Sequence, residues 1–210
     1  MAKPARGMIV MGTEGDDVLL AGGEGNDSIY GYGGNDRLEG YSGNDTLYAH
    51  GGDDTILGGD GVDTIAGGEG DDIIDAGAGA DQILTGPGND MITGGGGADR
   101  FFFGQSFETA TNVHTITDFS RAEGDYIDLK SMDADGDSSN DPRKGNTDFT
   151  VVTTPTGTAG EAWMVPIFDP VTGQQTGTSI FLNTDSDLDA DIQINVLGAV
   201  NLTWGIDVFG

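Results

Sequence analysis

Aspartate recurs at a nearly constant spacing along the first half of this 210-residue chain. Each step is nine residues except the first, which is ten, and the residues are Asp17, Asp27, Asp36, Asp45, Asp54, Asp63, Asp72, Asp81, Asp90 and Asp99. A carboxylate and backbone carbonyls together form the all-oxygen cluster that a hard cation such as Ca²⁺ prefers. The spacing therefore predicts a row of cation sites along a stacked repeat.

The aspartates belong to a nine-residue repeat, G-G-x-G-x-D-x-U-x, in which U is a large apolar residue. Ten copies run from Gly12 to Phe102, and we assign the one extra residue to Ala21. Glycine fills the fourth position of every copy, at Gly15, Gly25, Gly34, Gly43, Gly52, Gly61, Gly70, Gly79, Gly88 and Gly97. The eighth position is Leu19, Ile29, Leu38, Leu47, Ile56, Ile65, Ile74, Ile83, Ile92 and Phe101.

Each part of the repeat has a physical interpretation. The x-U-x piece predicts a very short strand with U facing inward and its neighbours facing outward. The glycines supply positive φ and let carbonyls point into a tight turn, where the short aspartate side chain reaches the same point. Tyr41 and His50 occupy the second position in two copies, where a side chain disfavours positive φ.

The composition excludes some classes of binding partner and favours others. The chain has 36 acidic and 8 basic residues, a formal charge of −28, so it would repel nucleic acid and anionic membranes and attract cations. It has no cysteine, which excludes disulfides and a thiolate zinc site. The apolar run Met8–Met11 is too short for a secretory signal, and no stretch is long enough to span a membrane.

The nonapeptide resembles the RTX (repeat-in-toxin) calcium-binding repeat. The resemblance implies an all-β fold, a parallel β-roll in which two repeats make one coil and Ca²⁺ lies between stacked turns. It implies that the metal ligands are the ten repeat aspartates, paired two repeats apart from Asp17–Asp36 to Asp81–Asp99, with the fourth-position glycines from Gly25 to Gly97. About eight ions over roughly five coils would be bound. Without calcium, this glycine- and aspartate-rich segment is predicted to be disordered.

The nine-residue period ends after Phe102. Four later segments alternate apolar and polar residues and predict strands: HTITDF (114–119), DYIDL (125–129), FTVVT (149–153) and TSIFLN (178–183). We predict three parts: an N-terminal linker (1–11), the β-roll (12–102) and a β-sandwich-like cap (103–210) that closes the open end of the stack.

The second half also resembles a known module. TITDFSRAEGDYIDL, GTAGEAW and the closing DADIQINVLGAVNLTWGIDVF are similar to the C-terminal module of serralysin-type metalloproteases and related secreted RTX proteins. The resemblance implies an uncleaved C-terminal signal, read by type I secretion machinery, with Asp207-Val208-Phe209 as its acidic and hydrophobic element. It implies an extracellular protein.

The sequence offers no constellation for catalysis. It lacks H-E-x-x-H and G-x-S-x-G, and its only histidines are His50 and His114. His114 precedes Asp118 by four residues, and we interpret it as a strand residue rather than a base. Two acidic runs without EF-hand spacing are weaker calcium candidates, Asp133, Asp135 and Asp137, and Asp185, Asp187, Asp189 and Asp191.

The prediction is a non-catalytic module that folds on binding extracellular calcium and supports secretion, folding and stability of an exported protein. We expect it to be the C-terminal part of a larger exoenzyme, with a catalytic domain upstream. The alternative is a polysaccharide-binding module, alginate-like in its ligand, that accompanies a carbohydrate-active enzyme; an enzyme with an unrecognised site is a further alternative.

Overall fold

The structure is a computed structural model of the chain, and it describes residues 6–103, 112–129, 150–151, 161–183, 192–198, 202 and 208–209. Its regular elements are all strands. In chain order they are β1 (Ile9–Met11), β2 (Leu20–Glu24), β3 (Ser28–Gly33), β4 (Arg37–Ser42), β5 (Thr46–Gly51), β6 (Thr55–Asp60), β7 (Thr64–Glu69), β8 (Ile73–Ala78), β9 (Gln82–Leu84), β10 (Met91–Thr93), β11 (Arg100–Phe102), β12 (Asn112–Ile116), β13 (Tyr126–Asp128), β14 (Thr150–Val151), β15 (Glu161–Phe168), β16 (Gln175–Asn183), β17 (Ile192–Leu197) and β18 (Val208–Phe209).

The repeat strands alternate between two parallel sheets, so two consecutive repeats complete one coil. The first sheet has the order β1-β3-β5-β7-β9-β11-β13-β18, and the second has the order β14-β15-β16-β17-β12-β10-β8-β6-β4-β2. Within the roll each residue lies opposite the one two repeats later, as Ile56 does with Ile74. The all-β prediction and the parallel β-roll of about five coils are confirmed.

The last three repeat strands, β9, β10 and β11, consist of the predicted x-U-x piece alone, whereas β3 to β8 are longer. These longer strands run from the residue after the aspartate through the first glycines of the next copy, as β6 does from Thr55 to Asp60. Because side chains alternate, both the eighth position and the next first position face inward, and Ile56 and Gly58 are buried. The core of the roll is therefore one file of aliphatic side chains per sheet, with small residues between them.

The first repeat corrects one sequence assignment. Leu20, and not Leu19, pairs with Leu38 and faces the core, while Leu19 is 49% exposed. The extra residue therefore lies between Asp17 and Leu20 rather than at Ala21, because the sheet can keep its register only if an inward residue meets Leu38. The roll also begins earlier than predicted, because residues 9–11 of the predicted linker form β1, which pairs with β3 in the first sheet.

The described strands beyond Phe102 continue the two sheets of the roll. β12 and β17 extend the second sheet in parallel, and β16 then joins β17 and β15 antiparallel. β13 and β18 extend the first sheet. A separate sandwich-like cap is not confirmed. Across the described ranges there is no helix long and apolar enough to cross a membrane.

Candidate metal sites

The repeat aspartates stack into two ladders, one along each edge of the roll. The first edge consists of the turns that enter the second sheet and carry Asp17, Asp36, Asp54, Asp72 and Asp90. The second edge consists of the turns that enter the first sheet and carry Asp27, Asp45, Asp63, Asp81 and Asp99. All of them except Asp17 are buried.

From Asp36 onward, each repeat aspartate uses one carboxylate oxygen to accept a backbone N–H from the coil before it. The backbone N–H of Asp63 donates to Asp81 Oδ1 at 2.7 Å, and the N–H of Asp45 donates to Asp63 Oδ1 at the same distance. The bond recurs at every paired step between Asp17 and Asp99. Aspartates two repeats apart are therefore in direct contact, including Asp17 and Asp36 beside the insertion.

In the part of the chain that the structure describes, the second carboxylate oxygen, Oδ2, has no hydrogen-bond partner in most of the repeat aspartates. Oδ2 is buried without a hydrogen-bond partner among the described residues in eight of the ten aspartates: Asp27, Asp36, Asp45, Asp54, Asp63, Asp72, Asp81 and Asp99. Leaving a buried carboxylate oxygen unpaired is costly, so one such group in a native fold calls for a cation or a proton. Eight in register point to a repeated cation site.

Backbone oxygens line the same cradles. A Cβ built on Gly58 would lie 2.7 Å from Asp63 Oδ2 and 2.3 Å from the Ala76 carbonyl oxygen, so both oxygens face one small space. The same holds at Gly40, between Asp45 Oδ2 and the Gly58 carbonyl oxygen. Carboxylate and carbonyl oxygens are the ligands of Ca²⁺, so the residues present fit that ion.

The electrostatics of the ladders agree with this interpretation. Burial raises the pKa of Asp54, Asp63 and Asp81 to about 6, of Asp99 to about 7 and of Asp72 to about 8. Desolvation is the largest cause in each, and the N–H donor from the preceding turn offsets part of it. Without a cation, the raised pKa keeps the Asp72 carboxyl protonated at neutral pH. The carboxyls of Asp54, Asp63 and Asp81, with a pKa of about 6, become protonated as pH falls through that value.

The turns require glycine at the fourth position. The nine fourth-position glycines from Gly25 to Gly97 all have positive φ. A Cβ on Gly61 would also lie 1.7 Å from the Gly43 carbonyl oxygen, so conformation and close approach both exclude a side chain. The second position is left-handed from the third copy to the tenth, and Tyr32, Tyr41 and His50 adopt it with φ of 81°, 74° and 78°.

A second, outer ladder was not predicted from the sequence. On the first edge the residue before each repeat aspartate accepts an N–H from the next turn: Asn35 N–H to Asp16, Asp53 N–H to Asn35, Asp71 N–H to Asp53, Asn89 N–H to Asp71 and Val113 N–H to Asn89. On the second edge the outer ladder starts at Asn26 and Asn44 but stops where Val62 replaces the acceptor. The recurring Asn and Asp in the repeat's fifth position were the available signal.

The second edge also continues past the repeats. Asp125 Oδ1 accepts the N–H of Asp99 at 3.0 Å, although 26 residues separate them. Its Oδ2 accepts the N–H of Ser120 at 2.7 Å. Asp125 was predicted only as part of a strand. The available signal was Asp125-Tyr126-Ile127, which fits the D-x-U part of the repeat but does not follow its nine-residue period.

The two histidines lie in different surroundings. His50 is exposed, and its ring stacks on Tyr32. His114 is fully buried and lies 2.9 Å from Asp90 Oδ2, so its partner is Asp90 rather than Asp118. Asp118 instead accepts the N–H groups of Gly94 and Gly95.

The two weaker acidic runs, 133–137 and 185–191, lie outside the described residues. Within the described part of the chain, no group of three or more His, Asp or Glu side chains lies close enough to hold a metal ion by side chains alone. Each ladder position accordingly combines carboxylates with backbone carbonyls.

Comparison with known proteins supports the repeat assignment. Residues 11–47, 48–83, 57–92 and 75–106 match the family described as RTX calcium-binding nonapeptide repeat (4 copies). The chain carries RTX calcium-binding repeats. The predicted resemblance is thereby confirmed for this segment, and the RTX β-roll is a calcium-binding structural module.

Among solved structures, the chain is similar to the solution structure of the AlgE6R3 subunit from the Azotobacter vinelandii mannuronan C5-epimerase. The identity is 20% and the TM-score is 0.37, over 89% of this chain and 73% of that chain. No curated protein matches the chain in sequence.

Proposed function

We propose that the repeat aspartates hold calcium ions along both edges of the RTX roll, and that filling these sites folds the chain. The observation that carries the proposal is the row of buried Oδ2 atoms without hydrogen-bond partners among the described residues. Bound calcium supplies positive charge and accepts oxygen ligands. The repeat aspartates would supply carboxylate oxygens, and the glycine-rich turns would supply carbonyls, as Ala76 does beside Asp63.

The proposal explains why folding should depend on the ion. The roll brings negatively charged carboxylates close together along each edge, and the charges of Asp54 and Asp90 help to raise the pKa of Asp72. The formal charge of −28 adds a general repulsion that opposes compaction. A ligand that binds only the folded state stabilises it by mass action, so several sites in one roll act together.

The test is a calcium titration of the metal-free full chain, followed by far-UV circular dichroism. We expect a cooperative gain of strand signal as calcium is added, and its loss on chelation. Magnesium at equal concentration is the control, because it demands a smaller octahedral shell and gives up water reluctantly. A chelated sample that keeps its strand signal and a sharp melting transition would overturn the proposal.

We further propose that the chain is an exported module, delivered by type I secretion machinery through an uncleaved C-terminal signal around Asp207-Val208-Phe209. In support, Val208 and Phe209 form β18 and pair with Ile127 and Asp128 in the first sheet. A signal inside this sheet would be readable only before the chain folds. Low calcium inside the cell and high calcium outside would then separate export from folding.

Deletion of residues 204–210 tests the export proposal in a host with type I machinery. We expect export to be abolished while calcium binding by the roll persists. Normal export of the deleted chain would refute the C-terminal signal without affecting the calcium proposal.

We propose the division into an N-terminal segment (1–11), the roll (12–102) and the C-terminal part (103–210), serving a larger exoenzyme with a catalytic domain upstream. The sharp change of composition at Phe102 supports the division. The mass of the native polypeptide tests the upstream domain. A native mass equal to the 21.6 kDa of these residues would refute it.

One observation favours carbohydrate binding as a second candidate function. Tyr30 stacks on Tyr48 with ring centroids 5.5 Å apart, and Tyr32 stacks on His50 at 5.6 Å, forming an aromatic row on one sheet face. Exposed aromatic rings can pack against sugar rings through their apolar faces. Calorimetry with alginate oligosaccharides tests this: Tyr48→Ala should lower the affinity, and Tyr41→Ala, on the other sheet, should not.

A further inference from the structure

The aspartate ladder of the first edge ends at a histidine. In the roll, each repeat aspartate comes directly before the strand that pairs with the next coil, as Asp54 and Asp72 precede the paired residues Thr55 and Ile73. The pairing of β10 with β12 places Met91 opposite Thr115. His114 therefore occupies the register position where the next aspartate of the ladder would lie.

The contacts of Asp90 differ from those of the other buried repeat aspartates. Its Oδ1 accepts the N–H of Asp72 at 3.0 Å, as elsewhere in the ladder. Its Oδ2, the oxygen without a partner in the other buried repeat aspartates, lies 2.9 Å from Nδ1 of His114. An ionised carboxylate can only accept, so Nδ1 is the donor. Both side chains are 0% exposed.

The surroundings of His114 also depart from the repeat. Phe103 falls where the first glycine of an eleventh copy would lie, and its ring centroid is 5.1 Å from that of His114. Phe103 is fully buried. An aromatic ring and an imidazole thus stand where the inner coils have glycine backbone and a carboxylate.

The second edge provides the contrast. There the residue in the equivalent register is Asp125, which accepts the N–H of Asp99 as a repeat aspartate would. Asp99 Oδ2 has no hydrogen-bond partner among the described residues. The two edges therefore end in opposite ways, one with a further carboxylate and the other with a hydrogen-bond donor.

We propose that His114 closes the first edge: its imidazole satisfies the Asp90 carboxylate, so Asp90 provides no oxygen to a calcium ion. This inference rests on the proposed calcium sites in the rest of the ladder. Among the described repeat aspartates of copies two to ten, Asp90 is then the one whose two carboxylate oxygens both have hydrogen-bond partners.

The test counts bound calcium ions in the full chain by native mass spectrometry and equilibrium dialysis. Asp90→Asn should bind as many ions as the unaltered chain, because the amide oxygen can still accept from Asp72 and the amide nitrogen can donate to Nδ1 of the other His114 tautomer. Asp72→Asn, the matched control on the same edge, should bind at least one ion fewer.

The outcomes separate this inference from the calcium proposal. If Asp90→Asn loses an ion as Asp72→Asn does, the role of His114 is refuted while the ladder sites stand. If neither variant loses an ion, the proposed calcium sites themselves fail.

Two substitutions of His114 test the same proposal. His114→Asp restores the ladder and should bind one ion more than the unaltered chain, whereas His114→Asn should not. No gain in a His114→Asp chain that folds in calcium would overturn the proposal. If that variant does not fold, the comparison of Asp90→Asn with Asp72→Asn decides.

Discussion

The two edges of the roll carry the same inner ladder but different outer ladders. On the first edge the outer ladder runs unbroken from Asp16 to the N–H of Val113, whereas on the second edge it stops at the N–H of Val62. The inner aspartates are present throughout both edges. The inner ladder is thus required at every coil, and the outer ladder is optional.

The residue types explain the difference. The outer ladder mixes Asn and Asp, because it needs only an oxygen that accepts an N–H, and either residue supplies one. The inner ladder accepts the same kind of N–H, as Asp63 does from Asp45, yet it is aspartate in all ten copies. Its charge therefore serves something other than the hydrogen bond, and the unpaired Oδ2 atoms indicate a cation.

The largest effect should come from removing one inner charge. Asp54→Asn on the first edge and Asp63→Asn on the second keep the N–H acceptor but remove the negative charge. We expect each to raise the calcium midpoint of folding about tenfold, since one lost charged ligand is worth on the order of 1.4 kcal/mol or more. The measurement is a circular-dichroism titration with calcium.

Asp53→Asn is the matched control for Asp54→Asn, because it removes the same charge one residue away, on the outer ladder. Its midpoint should be unchanged or lower. Equal shifts for Asp53→Asn and Asp54→Asn would mean that net charge, and not ligation, sets the midpoint.

The second effect concerns pH. Burial raises the pKa of several inner carboxyls in the folded chain, to about 6 for Asp63 and about 8 for Asp72, against 3.8 for an ordinary aspartate. Their contribution to the stability of the metal-free roll is therefore fully present below about pH 4 and is lost as pH rises through 6 to 8. Acidifying the chelated chain from pH 8 to pH 5 should increase its strand signal, and the calcium midpoint should rise over the same range. A chelated chain with no pH response would contradict the buried ladders.

The third effect is smaller and should differ between the edges. Asp53→Ala interrupts the outer ladder of the first edge and should lower the free energy of unfolding in saturating calcium by about 1 kcal/mol. Ala80 lies one coil after Val62 on the second edge. Ala80→Asn would add a side-chain oxygen that can accept an N–H from the next coil, and it should raise the free energy of unfolding by about 0.5 kcal/mol. Urea unfolding of both variants is the measurement; a loss in both would show that the second edge cannot accept an outer ladder.

The smallest effect concerns the left-handed residues that lead into each edge. Tyr41 precedes a turn of the second edge and His50 a turn of the first, and both have positive φ. Glycine would remove about 1 kcal/mol of backbone strain from the folded chain. Part of this gain would be lost, because glycine also increases the conformational entropy of the unfolded chain. Tyr41→Gly should therefore raise the melting temperature slightly. His50→Gly should gain less, because it also loses the stack with Tyr32.

Most of the roll could be predicted from the sequence, because every copy has the same residue types at the same positions of a nine-residue period. The inward residues from Ile29 to Phe101, the left-handed fourth-position glycines and the aspartate pairs follow from one nine-residue period, and the structure contains them. The exception within the repeats is Leu20, where a one-residue insertion leaves two candidate inward leucines and no local preference between them.

The nine-residue period does not predict contacts between residues whose separation along the chain differs from two repeats. Asp125 meets Asp99 across 26 residues and His114 meets Asp90 across 24, so neither lies on the nine-residue grid. Repeated local chemistry specifies the coil, because each turn finds its partner at a constant distance along the chain. The ends of the ladders are specified by strand register across irregular connections, and that register exists only once the sheets have assembled.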